Sequence, residues 1–219
     1  MISEAAANNA AWCASMCRAH DIATSNDGRV WRSPVRTPLY YPDAVTLVPG
    51  LAAEEVLAGI DTSPGCSVKD SFADVDLSGH GFEVLFEAEW IGRAGDTPLP
   101  PGDALAWRAA SDIPAWETAW SGGGSPGLFT PRLLDDSTVV LVEGRDDTGA
   151  IASGAVLNTG GGAVGVSNVF GGGHTGAVRM AADLLGAGVL VGYESGDDLD
   201  AALRLGFRSL GPLRVWLRA

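Results

Sequence analysis

A glycine-rich turn holds the residues of this 219-residue chain that are best suited to binding chemistry. The segment Gly171-Gly172-Gly173-His174-Thr175-Gly176 follows an apolar stretch, residues 164–170, and precedes a helix-forming stretch, residues 177–185. A turn between a strand and a helix directs several backbone N–H groups towards one point, and a phosphate is the ligand that such groups favour. The sequence therefore predicts an anion site at residues 171–176.

A second group of reactive side chains lies near the N-terminus. Cys13, Cys17 and His20 share one face of a predicted helix, a spacing that could hold a metal ion. The same face carries Met16, and free cysteine is among the most buried residue types, so core packing is the favoured interpretation. The one G-x-S-x-G match, residues 123–127, follows a predicted helix and does not lie between a strand and a helix, and glycines 122–124 and 160–162 lack the context of a dinucleotide-binding motif. A serine hydrolase, a zinc enzyme and a dinucleotide-binding protein therefore have no support.

The predicted elements place the glycine turn in the second half of an alternating pattern. An alanine-rich helix is predicted over residues 3–20. It is followed by strands at 29–33, 44–48, 66–72 and 82–92, the last of them central and covered on both faces, and by a short helix at 51–60. From residue 104 the predicted order is β, α, β, β, β, α, β, α, β. Its strands are 104–110, 139–144, 151–157, 163–170, 188–193 and 213–217, and its helices start near Pro114, at Ala177 and at the capping residues Asp197-Asp198.

A proline-rich stretch suggests a boundary between two units. Pro98, Pro100 and Pro101 lie in residues 94–103, which show no hydrophobic periodicity. We predict a smaller α+β half-domain at 1–97, a linker at 98–103 and a C-terminal domain at 104–219. The predicted fold class is α/β (α+β), with a mixed sheet flanked by helices in the C-terminal domain.

The C-terminal half resembles the GNAT superfamily of N-acetyltransferases. The resemblance rests on the element order from residue 104 and on two segments, Leu190-Val191-Gly192-Tyr193-Glu194 and Ala201-Ala202-Leu203-Arg204-Leu205-Gly206-Phe207, which look like the family's fifth strand and following helix. Residues 40–47 and 81–91 look like a degenerate half-domain of GNAT-like proteins. The resemblance implies that acetyl-CoA lies in a V between the fourth and fifth strands, with its pyrophosphate on the loop and helix that follow the fourth.

The resemblance also implies a set of cofactor-binding residues. They are Val164, Val166, Asn168, Gly171, Gly172, Gly173, His174, Thr175 and Gly176. The family pattern is Arg or Gln, two residues, Gly, one residue, then Gly or Ala; Gly171 stands at the basic position, His174 at the first glycine and Gly176 at the second. The turn therefore keeps the backbone freedom of the pattern but loses its basic residue.

Acetyl transfer to an amine needs a base that deprotonates the ammonium and a hydrogen-bond donor that polarises the thioester carbonyl. Glu87, Glu89 and Glu194 are candidates for the base, and His174 is a candidate donor or phosphate contact. The family's tyrosine acid corresponds to Ala202, so this group is absent. Because neighbouring residues of a strand point to opposite faces, we expect at most one of Tyr193 and Glu194 to face the cleft.

Two functions remain open at this point. One is an N-acetyltransferase that acts on an amine of a small molecule or peptide, with acetyl-CoA as cosubstrate. The other is a catalytically inactive GNAT-like protein that binds acyl-CoA or another ligand. The sequence assigns neither the catalytic residues nor the acceptor.

The acidic composition bears on the partners of the protein. Fourteen basic and 27 acidic residues give a net charge of −13, which disfavours nucleic acid and favours a cationic or amine substrate. No apolar run approaches the roughly 20 residues that span a bilayer, and the start lacks the pattern of a secretory signal, so no membrane partner is expected. Three cysteines, an odd number, fit a reducing compartment. We therefore expect a cytoplasmic protein, and a homodimer is left open.

Overall fold

Eleven strands form one mixed sheet in the computed structural model, which describes residues 1–124, 126–186 and 188–219. The strands are β1 (Ser25–Asn26), β2 (Val30–Arg32), β3 (Ala44–Thr46), β4 (Ser67–Asp70), β5 (Phe82–Arg93), β6 (Ala106–Ala109), β7 (Val139–Arg145), β8 (Ile151–Gly160), β9 (Ala163–Phe170), β10 (Leu190–Glu194) and β11 (Arg208–Arg218). Their order across the sheet is β1-β2-β3-β4-β11-β5-β10-β9-β8-β7-β6. The pairs β3·β4 and β9·β10 are parallel, and the others are antiparallel.

Helices cover both faces of this sheet. They are α1 (Ile2–Ala19), α2 (Ala53–Leu57), α3 (Ile113–Trp120), α4 (His174–Leu185) and α5 (Gly196–Arg204). Residues of α1 and α3 share one core cluster with Trp90 and Val191, whereas residues of α4 and α5 share another with Ile91 and Leu190. Because neighbouring strand residues point to opposite faces, α1 and α3 lie on one face and α4 and α5 on the other. A third cluster packs α2 against the N-terminal strands.

The predicted fold class and element order are confirmed, but several element boundaries differ. Helix α4 begins at His174 instead of Ala177, so the end of the predicted glycine turn belongs to the helix. The short strand β1 is not predicted, and β11 begins at Arg208 instead of 213 because it pairs with nearly the full length of β5, with an irregularity at Gly211. The N-cap of α5 is Ser195, so the prediction of Asp197 or Asp198 is wrong. Both aspartates lie in the first turn of α5, where the helix dipole favours acidic side chains.

Strand β5 is central, as predicted, because it lies between β10 and β11. Its residues 88–93 are mostly buried and run beside β10, but residues 83–87 are exposed. The prediction that both faces are covered therefore holds only for the part of β5 that runs beside β10.

The predicted linker, residues 98–103, lies in the connection from β5 to β6. The units predicted on its two sides share one sheet, because β5 pairs with β10 and β11. The division into two domains stays a prediction.

Asn8 fastens α1 to the sheet. Its side-chain amide donates to the carbonyls of Asn158, Gly160 and Ala163 at 3.1–3.2 Å, and the residue is only 3% exposed. We expect Asn8→Ala to lower the free energy of unfolding by roughly 2 kcal/mol, because buried carbonyls lose their donor. Denaturant unfolding measures the change, and Asn26→Ala at the exposed end of β1 is the control. Equal effects of the two variants would contradict this role of Asn8.

Candidate functional site

Strands β9 and β10 separate after a short paired stretch. Their register contains two pairs, Leu190 with Val164 and Val191 with Gly165, and no further pairing between them occurs in the described ranges. The outer edge of β10 stays paired with β5 over its whole length, and that of β9 stays paired with β8. The two facing edges therefore diverge into a V whose backbone groups are available to a ligand.

A bulge in β9 lies at the point of divergence. Ser167 pairs with Val156 and Phe170 with Gly154, so two residues of β9, Asn168 and Val169, oppose a single residue of β8. Asn168 has a φ of 51°, in the left-handed region that asparagine tolerates better than most residues. Bulges bend the strand that carries them, and this one bends β9 where β10 leaves it.

A cavity of about 300 Å³ opens between the diverging strands. Its wall includes β9 and β10 and also elements from the N-terminal half of the chain. Several polar and aromatic side chains line it: Asn9 and Trp12 of α1, Tyr41, Lys69 of β4, Ser167, Tyr193, Glu194 and His174. The cavity thus joins groups from elements that are far apart in the sequence.

The glycine turn leads directly into α4. The helix starts at His174, and its N-cap, Gly173, has no side chain to bond the N–H groups of the first turn. A Cβ on Gly176 would overlap the indole of Trp107, so this position admits glycine because β6 packs against it. The predicted anion site would therefore use the first-turn N–H groups of α4.

The predicted site residues divide into three groups in the structure. Val164 lies in the paired part of the strands, where its N–H donates to the Val189 carbonyl at 2.9 Å. Val166, Asn168 and His174 line the cavity. Gly171, Gly172, Gly173, Thr175 and Gly176 form the turn and the start of α4. Their role in cofactor binding stays a prediction.

Of the three candidate proton acceptors, Glu194 lines the cavity. Its Oε1 lies 3.0 Å from Nε2 of His174, and the side chains are 20% and 6% exposed. Glu87 is exposed and pairs with Arg214, whereas Glu89 is half-buried and lies opposite Glu194 in the β5·β10 register. The structure therefore brings together two predicted residues, Glu194 and His174, into one buried pair.

Tyr193 and Glu194 both line the cavity, so the prediction that at most one would do so is wrong. The two side chains do point to opposite faces of β10: Tyr193 packs edge-on against Trp90, and Glu194 reaches His174 of α4. The cavity passes between the separated strands and reaches both faces of the sheet. If the cleft lay on only one face of the sheet, only one of these two residues would line it.

The sequence analysis missed the cavity residues that the N-terminal half contributes, above all Lys69, Tyr41 and Asn9. One signal was present: Lys69 is the chain's single lysine and lies inside a strand. Nothing in the sequence placed this strand next to residues 190–194. The missing information is the strand order, in which β4, β11 and β5 precede β10.

Cys13 and Cys17 lie in the core with Met16, as predicted, and Nε2 of His20 donates a hydrogen bond to the Leu128 carbonyl. Within the described ranges, no three His, Cys, Asp or Glu side chains are grouped so that they could hold a metal ion. A helix long and apolar enough to cross a bilayer does not occur in the same part of the chain.

Burial protects all three thiols. It raises the pKa of Cys13 and of Cys66 from 9.0 to about 11 and that of Cys17 to about 12. Since the thiolate is the nucleophile, we expect no reaction of the native protein with a thiol reagent at pH 8 and three reactive thiols after unfolding.

The same pKa shifts predict a loss of stability at alkaline pH. The unfolded thiols release their protons near pH 9 while the folded ones keep theirs, so stability falls as pH rises from about 9 towards 11. Thermal unfolding across this range measures the effect, and Cys13→Ala should reduce the slope. A slope that Cys13→Ala leaves unchanged would contradict a contribution from this thiol.

No family model matches the sequence, and no curated protein matches it either. Solved structures do share its fold. A GCN5-related N-acetyltransferase from Kribbella flavida superposes with a TM-score of 0.63 at 14% identity over 95% of each chain. A GNAT-family protein from Novosphingobium aromaticivorans, described as an acetyltransferase, gives 0.56 at 15% identity over 94% of this chain and 96% of its own. A protein of unknown function from Staphylococcus epidermidis gives 0.56 at 12% identity over 90% and 94%.

These similarities cover nearly the whole chain, including the part before the predicted linker. The protein therefore has the fold of the GCN5-related N-acetyltransferases. At 12–15% identity, this similarity establishes the fold. The substrate and the activity have to be inferred from the residues of the site.

Proposed function

We propose that the protein transfers an acetyl group from acetyl-CoA to an amine of a small molecule or peptide. The observation that carries this proposal is the V between β9 and β10, which opens into a cavity that reaches both faces of the sheet. A thioester lying in the V would meet an acceptor that enters the cavity from the α1 face. Proximity of this kind is a large part of the catalysis of a group transfer.

In this proposal the cofactor is held mainly by backbone groups. Val166 and Asn168 offer the unpaired edge of β9 to an extended pantetheine arm. The pyrophosphate accepts hydrogen bonds from the N–H groups of the turn 171–176 and of the first turn of α4, where the helix dipole also favours negative charge. Because the turn contains no arginine or lysine, these N–H groups and the dipole supply the electrostatic attraction.

Glu194 and His174 supply the proton transfer that amine acetylation requires. The acceptor ammonium must lose a proton before its nitrogen attacks the thioester carbonyl. Glu194 is the carboxylate that lines the cavity among the three candidates, and His174 orients it by the 3.0 Å contact to Oε1. We assign the proton-acceptor role to Glu194 and the positioning role to His174.

A ligand-binding protein without transferase activity is the second candidate. It is favoured by the absence of a basic residue in the turn and by Ala202, which has no hydroxyl to protonate a leaving thiolate. Such a protein would bind acetyl-CoA in the same V and would release no CoA.

Thermal unfolding with acetyl-CoA tests whether the V binds cofactor. At 100 times its Kd a ligand stabilises the folded state by about 2.7 kcal/mol, which raises Tm by roughly 5–10 °C for a chain of this size. No shift at millimolar acetyl-CoA would overturn both candidates.

If acetyl-CoA binds, release of CoA thiol with a panel of amines separates the enzyme from the binding protein. The thiol reagent used for this assay is compatible with the native protein only if its buried cysteines are unreactive, as predicted above. We further propose a cytoplasmic location, which the three unpaired cysteines support.

A further inference from the structure

Lys69 is a buried cation in the wall of the cavity. It is the single lysine of the chain, lies on β4 and is 4% exposed. Its Nζ donates to Oδ1 of Asn9 at 2.9 Å and lies 4.0 Å from the ring centroid of Tyr193. An ammonium has three N–H donors, so these neighbours leave part of its hydrogen-bonding capacity unused.

No carboxylate of the described residues pairs with this ammonium. The ion pairs of the protein involve arginines, histidines and the N-terminal amine, and Lys69 has no carboxylate within 4.0 Å in the ranges that the structure describes. Burying a charge without a partner of opposite sign is costly, and buried lysines are nearly always paired. The carboxylates that line the same cavity, Glu194 and Asp198, lie more than 4.0 Å from this ammonium in the described part of the chain.

Two hydroxyl groups of the cavity have unused hydrogen-bonding capacity. The hydroxyl of Ser167 is buried and has no hydrogen-bond partner among the described residues. The hydroxyl of Tyr41, a residue 8% exposed, makes no well-aligned hydrogen bond in the same part of the chain, although the side chains of Trp12 and Asn168 lie near it. Burial raises the pKa of Tyr41 well above its ordinary value of 10.0, so its hydroxyl keeps its proton and can donate it in a hydrogen bond. Lys69, Tyr41 and Ser167 all line the same cavity.

We infer that Lys69 binds a carboxylate of the acceptor, so that the acceptor is a small molecule carrying both an amine and a carboxylate. This inference rests on the proposed function for the identity of the ligand as acceptor. One cation with two neutral hydroxyl donors matches the single charge of a carboxylate better than the double charge of a phosphate group. Aromatic side chains, including Trp12 and Trp90, enclose the site and exclude water from the ion pair.

The inference adds a carboxylate to the amine acceptor that the composition favours. A net charge of −13 favours a cationic substrate in general. A single desolvated ammonium acts at short range inside the cavity, where the attraction is stronger than the field of distant, solvated carboxylates. The local cation therefore selects the carboxylate of the acceptor, while the general charge favours its ammonium.

Lysine labelled with ¹³C at Cε gives a direct test, because the chain's single lysine produces one signal. We expect N-acetylglycine and N-acetylphenylalanine to shift this signal in a saturable way. Their neutral amides, and inorganic phosphate at the same concentration, should leave it in place. These compounds contain no thioester, so the experiment does not depend on acetyl-CoA.

Equal effects of acids and amides, an equal effect of phosphate, or no effect of any acid would overturn the inference. The comparison uses the wild-type protein, so it holds even if a Lys69 variant fails to fold. If the acids bind and acetyl-CoA does not, the carboxylate site stands and the proposed function fails. If acetyl-CoA binds and the acids do not, the carboxylate site is wrong and the proposed function stands.

Substitutions then separate charge from packing. Lys69→Met keeps the length of the side chain and should weaken binding of the acids by roughly 10- to 100-fold, measured by calorimetry, because the charged donor is lost. Lys69→Arg should retain more of the affinity than Lys69→Met. In the transfer assay Lys69→Met should raise KM for the acid acceptor and leave KM for its amide unchanged. A parallel change for both acceptors would show that Lys69 is only structural.

Discussion

Glu194→Gln is expected to lower kcat for acetyl transfer by roughly 10²- to 10⁴-fold, the range that a positioned general base contributes. Glutamine keeps the size of the side chain and can still contact His174, whose Nε2 lies 3.0 Å from Oε1 of Glu194 in the wild-type protein. It cannot accept the proton of the acceptor ammonium. KM for acetyl-CoA should stay about the same, because the substitution removes none of the backbone groups that are proposed to hold the cofactor.

Glu89→Gln is the matched control for this variant. Glu89 lies opposite Glu194 in the β5·β10 register, so both substitutions remove one carboxylate from the same strand pair. Initial rates of CoA release at saturating acceptor measure both. If Glu89→Gln lowers kcat as much as Glu194→Gln, the effect comes from the general charge of this region and the assignment of Glu194 is wrong.

Thr175→Glu is expected to remove most of the acetyl-CoA binding without loss of stability. Thr175 is the second residue of α4 and half-buried. A carboxylate roughly 6 Å from one phosphate charge, at an effective dielectric constant of 20, costs about 2.8 kcal/mol, which corresponds to roughly 100-fold weaker binding. The same carboxylate near a helix N-terminus stabilises the free protein by about 0.3–1 kcal/mol.

This prediction is specific because the substitution should weaken acetyl-CoA binding and raise the stability of the free protein. Thr175→Gln has a similar shape and no charge, so it should bind acetyl-CoA nearly as well as the wild-type protein. Calorimetric titration gives Kd, and thermal unfolding without ligand gives the stability. If Thr175→Glu binds acetyl-CoA with unchanged affinity, the pyrophosphate does not lie at the start of α4.

The two variants together separate the candidate functions. An enzyme should lose turnover in Glu194→Gln and cofactor binding in Thr175→Glu. A protein that only binds acetyl-CoA should respond to Thr175→Glu, and Glu194→Gln should retain its binding. If the V does not bind acetyl-CoA, neither substitution changes acetyl-CoA binding or CoA release, and this result differs from both of the others.

The sequence by itself determined the elements of this protein and their order. The strand, the glycine turn and the helix at residues 163–185 follow from local properties of the sequence. These are the β-branched residues of the strand, the glycines of the turn, and the helix-forming residues, alanine among them, that come after it. The same is true of the opening helix, whose cysteines and Met16 enter the core as their spacing predicts. Pattern and chain order were enough to indicate the acetyltransferase fold.

Only the tertiary structure decided which side chains meet in the cavity. Lys69 and Tyr193 are separated by more than a hundred residues, and they become neighbours because β4, β11, β5 and β10 follow one another across the sheet. Whether Tyr193 or Glu194 faces the site depended on the separation of β9 from β10, which opens both faces at once. Hydrophobic periodicity reports which face of an element is buried, but it contains no information on which strands become neighbours or where they part.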